Sequence, residues 1–121
     1  MARIIYLLIL VMFMPWHIVQ SDEDIGYKYY QKGDYEKALS VWKKELSLGK
    51  KETMYNIGLL YFFGKGVKQD LSLAFEYCQK AALMGSARAQ NNIAYMYIEG
   101  LGTKKNYVAA YAWSEIAIEN G

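Results

Sequence analysis

Cysteine and histidine are nearly missing from this chain of 121 residues: each occurs once, as Cys78 and His17. A lone thiol excludes a disulfide framework within the chain. It also leaves too few nitrogen and sulfur ligands for the usual zinc sets, so neither a metal nor another cofactor is expected. Charge of one sign is missing as well: fourteen basic residues face twelve acidic ones, a formal net charge of +2, with both signs scattered along the chain. No basic stripe of the kind that follows a nucleic-acid backbone is present, and nucleic acid is not an expected partner. Gly64-Lys65-Gly66-Val67 lacks the spacing to Gly-Lys-Ser/Thr that a phosphate loop requires. Its recurrence as Gly100-Leu101-Gly102-Thr103 marks a structural elbow instead, with glycines placed for their backbone angles.

What is abundant is apolar residues, at 54% of the chain, and some of them form a leader. Arg3 gives it a positive start, Ile4 to Met14 is an unbroken apolar run of eleven residues, and Pro15 ends the run. That length suits the core of a secretory signal and falls short of the roughly 20 residues that span a bilayer. Val19 and Ser21 then place cleavage before Asp22. Residues 1–21 are therefore expected to be a signal peptide. The alternative is an uncleaved anchor extended through Trp16, Ile18 and Val19, in which case the leader would be the membrane contact. Export to an oxidising compartment favours a lone thiol hidden in a core, so Cys78 is expected to be a buried packing residue, with an intermolecular disulfide as the functional alternative.

Beyond the leader the chain repeats itself. Ile57-Gly58-Leu59-Leu60-Tyr61 returns as Ile93-Ala94-Tyr95-Met96-Tyr97, and stands upstream as Ile25-Gly26-Tyr27-Lys28-Tyr29. On a helix the Ile and Tyr share a face, while the Gly or Ala between them lets a neighbouring helix approach closely. Each copy is followed by an alanine, Ala38, Ala74 or Ala110, inside a second apolar pattern. Asp34, Asp70 and Asn106 are positioned to cap those second helices, and Ser86 the first helix of the third unit. Asp22, Glu23 and Asp24 suit the first turn of the first helix, and the helix carrying Ala38, Trp42 and Leu46 should run to Gly49. Gly64, Gly66, Asp70, Ala74 and Gly85 all recur 36 residues later, as Gly100, Gly102, Asn106, Ala110 and Gly121. Internal repetition at such a period is the mark of a helical solenoid.

Units two and three resemble the Sel-one-like repeat family, a branch of the tetratricopeptide repeats. The second unit carries Asn56-Ile57-Gly58, Tyr61, Gly64, Gly66-Val67, Asp70, Ala74, Tyr77, Lys80-Ala81-Ala82 and Gly85. The third carries Ala87, Ala89, Asn92, Ile93, Tyr97, Gly100, Gly102, Ala110, Trp113, Ala117 and Gly121. Unit one resembles an ordinary tetratricopeptide repeat through Gly26, Tyr29 and Gly33-Asp34-Tyr35-Glu36-Lys37-Ala38, while Thr53, Met54 and Asn106 depart from the family pattern. The resemblance implies an all-α, right-handed solenoid of about three helix-turn-helix repeats, spanning residues 22–49, 50–85 and 86–121. It also implies a bacterial interaction scaffold without enzymatic activity, periplasmic or secreted, or held at the inner membrane if the leader stays.

In such solenoids the first helix of each pair lines a concave groove, which would receive a protein or peptide. Asp24, Asn56 and Asn92, the polar residues before each repeated Ile, should form a row along it, with Phe63 and Tyr95 as anchors nearby. An asparagine donates and accepts, which suits the backbone of an extended peptide; the same amide equally suits a bond to the adjacent helix. The alternative to the interaction scaffold is a structural self-association module, in which the third unit, with Trp113 and Ile116, is the surface for a homodimer.

One exported, cysteine-rich branch of the family is linked to penicillin binding and hydrolysis, and it locks its helix pairs with paired cysteines. This chain has Cys78 alone. Ser40-Val41-Trp42-Lys43 and Ser47-Leu48-Gly49-Lys50 match S-x-x-K, but S-D-N and K-T-G do not occur, and Trp42 belongs to the packing pattern. Catalysis is not expected.

Overall fold

A computed structural model describes residues 24–121; the expected signal peptide, its expected cleavage site, Asp22 and Glu23 lie outside the described residues. The chain forms α1 (Ile25–Gln31), α2 (Tyr35–Lys44) continued by a 3-10 turn (Glu45–Leu48), α3 (Lys51–Phe63), α4 (Leu71–Leu83), α5 (Ala87–Glu99) and α6 (Tyr107–Asn120). No strand occurs among the described residues. The helices pack as pairs, α1 on α2, α3 on α4 and α5 on α6, and the pairs are joined by α2 against α3 and α4 against α5. Close packing concentrated between chain neighbours is what a stacked repeat requires.

Local chemistry starts five of the six helices, while α3, entered from Lys50, has no side-chain cap. Asp34, Asp70, Ser86 and Asn106 accept the backbone N–H three residues on, from Lys37, Leu73, Ala89 and Ala109. Asp24 does the same for α1, accepting from Tyr27, so it is the cap and not part of the first turn as its acidic neighbours suggested; α1 has no acid in that turn. The second helix also differs from expectation. It leaves α geometry at Lys44 and tightens into the 3-10 turn before Gly49, where φ is +64°. Such tightening satisfies carbonyls that the end of an α-helix leaves without partners.

The small residue between each repeated Ile and Tyr is the point where paired helices meet. A Cβ on Gly26 would overlap the indole of Trp42, and one on Gly58 would lie 2.8 Å from the Cys78 sulfur. In the third pair Ala94 faces a helix that carries Ser114 where α4 has Cys78, 36 residues earlier. Small on one helix is matched by what the other can spare. Around these crossings lies the core of Trp42, Ile57, Leu60, Ile93 and Met96, with Ala38, Ala74, Ala81 and Ala89. Cys78 is a core residue at 1% exposure.

The glycine elbows join one pair to the next. A Cβ on Gly66 would sit 2.7 Å from the Glu36 backbone nitrogen at the start of α2, and one on Gly102 would overlap the Leu71 carbonyl at the start of α4. Both glycines have positive φ, so two constraints fall on the same residue.

Candidate partner-binding groove

The first helices of the three pairs carry equivalent residues in register: Tyr27, Leu59 and Tyr95 in one row, Tyr30, Phe62 and Ile98 in another. Between α3 and α5 these rows enclose a hollow of about 340 Å³ lined by Tyr55, Leu59, Phe62, Phe63, Asn92, Tyr95 and Met96. Beside it a hollow of about 150 Å³ is lined by Tyr27, Tyr30, Trp42, Tyr55, Asn56, Leu59 and Arg88. Tyr55 and Leu59 belong to both, so the two hollows form one groove that crosses the first helices.

Four of the five residues singled out in the sequence line this groove: Asn92, Phe63 and Tyr95 the larger hollow, Asn56 the smaller. Phe63 is 60% exposed and Tyr95 53%, whereas both asparagines are half-buried. Asp24 lines neither hollow. Its Oδ1 accepts the Trp42 indole N–H at 3.0 Å in addition to the Tyr27 amide at 2.9 Å. Asn92 also neighbours Tyr55 across the α3–α5 boundary, where its side chain favours the ionised phenol.

Burial raises the pKa of the Tyr55 phenol, with Cys78 adding to the effect and Arg88 and Asn92 opposing it. The phenol therefore stays neutral and polar at physiological pH. Tyr55, Leu59, Phe62 and Arg88 are groove residues that the sequence reading missed or left unassigned to it. Leu59 was within reach, since it shares the register of Tyr27 and Tyr95.

The wall near Phe63 is held from outside. Lys65, in the elbow, places its ammonium 5.2 Å from the Tyr35 ring centroid, 5.6 Å from Phe63 and 5.7 Å from Tyr30. Cation–π attraction at these distances ties the end of α3 to the first unit. Phe63 also meets Phe62 edge-on at 5.0 Å.

The two S-x-x-K matches are not arranged as nucleophile and base. Ser40 and Lys43 are exposed, and the Lys43 pKa is raised, chiefly by its hydrogen bond to Tyr61, where a base would need it lowered. Ser47 and Lys50 lie on opposite sides of the left-handed Gly49. Among the described residues no cluster of three or more His, Cys, Asp or Glu side chains is placed to hold a metal. No helix among them is long and apolar enough to cross a membrane.

Comparison with known proteins agrees with this architecture. The Sel1 repeat matches at residues 17–33, 51–86 and 87–121. A Sel1 repeat protein from Oxalobacter formigenes is similar in structure, with a TM-score of 0.74 and 34% identity over 80% of this chain and 42% of that one. A protective antigen of uropathogenic Escherichia coli strains, displaying an SLR fold, is similar with a TM-score of 0.71 and 30% identity, over 80% of this chain and 23% of that one. This chain thus spans less than half the length of either solved protein. No curated protein matches it. Sel1 repeats are typically non-catalytic scaffolds that mediate protein–protein interaction. With matched segments over most of its length and the glycine elbows in register, the chain belongs to the Sel1 repeat family.

Proposed function

We propose that this protein is an interaction scaffold whose α1–α3–α5 groove receives a segment of another protein. One observation carries the reading: Phe63 and Tyr95 stay largely exposed at the rim of a continuous hollow instead of joining the core beside them. Aromatic residues at such rims supply large contact area with little rotamer freedom to lose. Asn56 and Asn92 add amides on the walls that can meet the main chain of an extended segment. Leu59 lines both hollows, so Leu59→Lys blocks the groove with one substitution. A random-peptide library selected on the folded chain should yield binders that Leu59→Lys loses while its circular dichroism is unchanged. Binders that ignore Leu59→Lys, and ignore Tyr95→Ala as well, would reject the groove.

The place of action proposed is the bacterial periplasm or the exterior, on the strength of the leader's charged start and short apolar run. N-terminal sequencing of the protein recovered from the periplasm tests it, with Asp22 as the expected first residue.

A second reading, self-association, is favoured by α6. Phe75 of α4 packs edge-on against Tyr97 of the next unit at 5.3 Å, but its counterpart 36 residues later, Tyr111, is 68% exposed beside exposed Tyr107, Val108 and Ile118. These residues, more than Trp113, which packs against the core, form the apolar outer side. Sedimentation that reports a dimer abolished by Tyr111→Lys would support self-association, and a monomer at all concentrations would exclude it.

A further inference from the structure

The groove contains one charged side chain that the fold does not explain. Arg88 lines the smaller hollow beside Tyr55, Asn56 and Leu59, is exposed, and forms no ion pair with any described residue. It stands in the first turn of α5, where the partial positive charge of the helix end disfavours a cation. The equivalent position of the preceding unit, 36 residues earlier, carries Glu52 in the first turn of α3, the sign that helix starts favour. The helix start therefore disfavours Arg88, and no carboxylate of the described residues lies within ion-pair distance of it, although Glu52 lines a neighbouring hollow with it. Its charge does reach the groove, since it acts on the Tyr55 hydroxyl. The rest of the lining, apart from Asn56, Asn92 and the tyrosine hydroxyls, is apolar or aromatic.

We infer that Arg88 reads an acidic side chain of the bound partner, so that the groove takes a protein segment with apolar or aromatic anchors and an aspartate or glutamate beside them. This rests on the groove reading above. Guanidinium is suited to the task because its planar fork can hold both oxygens of a carboxylate, and because it stacks on aromatic neighbours such as those around it here. Apolar anchors fill the larger hollow, and the carboxylate meets Arg88 at the smaller one. A lysine-rich or arginine-rich segment is disfavoured by the same charge.

The experiment selects one random-peptide library in parallel on the wild-type chain, Arg88→Glu and Leu59→Lys. Arg88→Glu restores the acidic first turn seen in α3, so the variant is expected to fold. Peptides selected on the wild type should be enriched in Asp or Glu next to apolar residues, and those selected on Arg88→Glu should shift to Lys or Arg. For a selected peptide, replacing its Glu with Gln should weaken binding to the wild type about fivefold, as expected of a partly exposed ion pair, and should not weaken binding to Arg88→Glu. Selected peptides that lack acids, or acidic peptides that bind Arg88→Glu equally well, overturn the role of Arg88 while leaving the groove intact. Binding retained by Leu59→Lys and by Tyr95→Ala overturns both.

Discussion

Asp24 and Trp42, eighteen residues apart, are joined by a hydrogen bond of 3.0 Å in which the indole N–H donates to the carboxylate oxygen that also caps α1. Trp42 is 1% exposed, and a buried indole N–H left without an acceptor is costly. Gly26 presses on the same ring. One carboxylate thus starts the first helix and fixes the side chain that fills the first pair.

Replacing Asp24 with alanine should remove both functions. The cap contributes about 1 kcal/mol and the orphaned indole N–H about as much again, so urea unfolding followed by tryptophan fluorescence should report a loss of roughly 2 kcal/mol. Asp24→Asn keeps an acceptor oxygen for both donors and should lose less than half of that. Equal losses for the two variants would mean that the negative charge, and not hydrogen-bond acceptance, holds this corner.

The crossing of α3 and α4 predicts a compensating pair. An alanine Cβ at position 58 would stand 2.8 Å from the Cys78 sulfur, so Gly58→Ala must push the helices apart or displace the thiol. Overpacking of this kind costs about 1–3 kcal/mol. Cys78→Ala removes the sulfur and opens the space the new methyl needs. The double variant should therefore recover most of the loss and show a coupling energy above about 0.5 kcal/mol, whereas additive losses would place the strain elsewhere.

Much of this fold was legible because its rules are local. Asp34, Asp70, Ser86 and Asn106 cap the helices that their spacing announced, and the glycines at 64, 66, 100 and 102 all adopt positive φ. Repetition then supplied the register that put Asn56 and Asn92 on one side. Their partners were another matter. The Asn92–Tyr55 contact crosses between units and the Asp24–Trp42 bond crosses between helices of one pair, and neither distance is encoded in a helical period. Arg88 and Tyr55 were missed for a related reason: their counterparts are Glu52 and Asn91, so they break the repeat, and a search for recurrence passes over them. The fold lies in what the units share, and the candidate site in part where they differ.

Cys78 gives the stability a pH dependence of definite sign. Burial pushes its thiol from an ordinary value of 9.0 up to about 11. Below pH 9 the thiol is protonated in both the folded and unfolded chain, and the group adds no slope. Between about pH 9 and 11 the unfolded chain releases the proton while the folded chain keeps it, so stability falls by up to about 1.4 kcal/mol per pH unit. Cys78→Ala lacks this loss. The stability difference between wild type and variant should stay constant from pH 7 to about 9 and then narrow by roughly 2 kcal/mol toward pH 11. A difference that stays flat throughout would show that the folded thiol titrates as readily as a free one.

The last prediction separates two glycines of one elbow. Gly100 and Gly102 both have positive φ, +68° and +69°, so alanine at either position carries the left-handed strain of roughly 1–2 kcal/mol. Their surroundings differ. A Cβ on Gly100 would lie 3.0 Å from Lys105 Cγ, part of a flexible side chain that can move aside. A Cβ on Gly102 would overlap the backbone carbonyl of Leu71, which α4 holds in place. Gly102→Ala must therefore part the third unit from the second, and stacked units draw much of their stability from that interface. Native-state hydrogen exchange should show α5 and α6 losing protection in Gly102→Ala while α3 and α4 keep theirs, and only a small uniform loss in Gly100→Ala. Identical patterns in the two variants would reduce the elbow to its backbone angles and remove the Gly102–Leu71 contact from the account of how the units are joined.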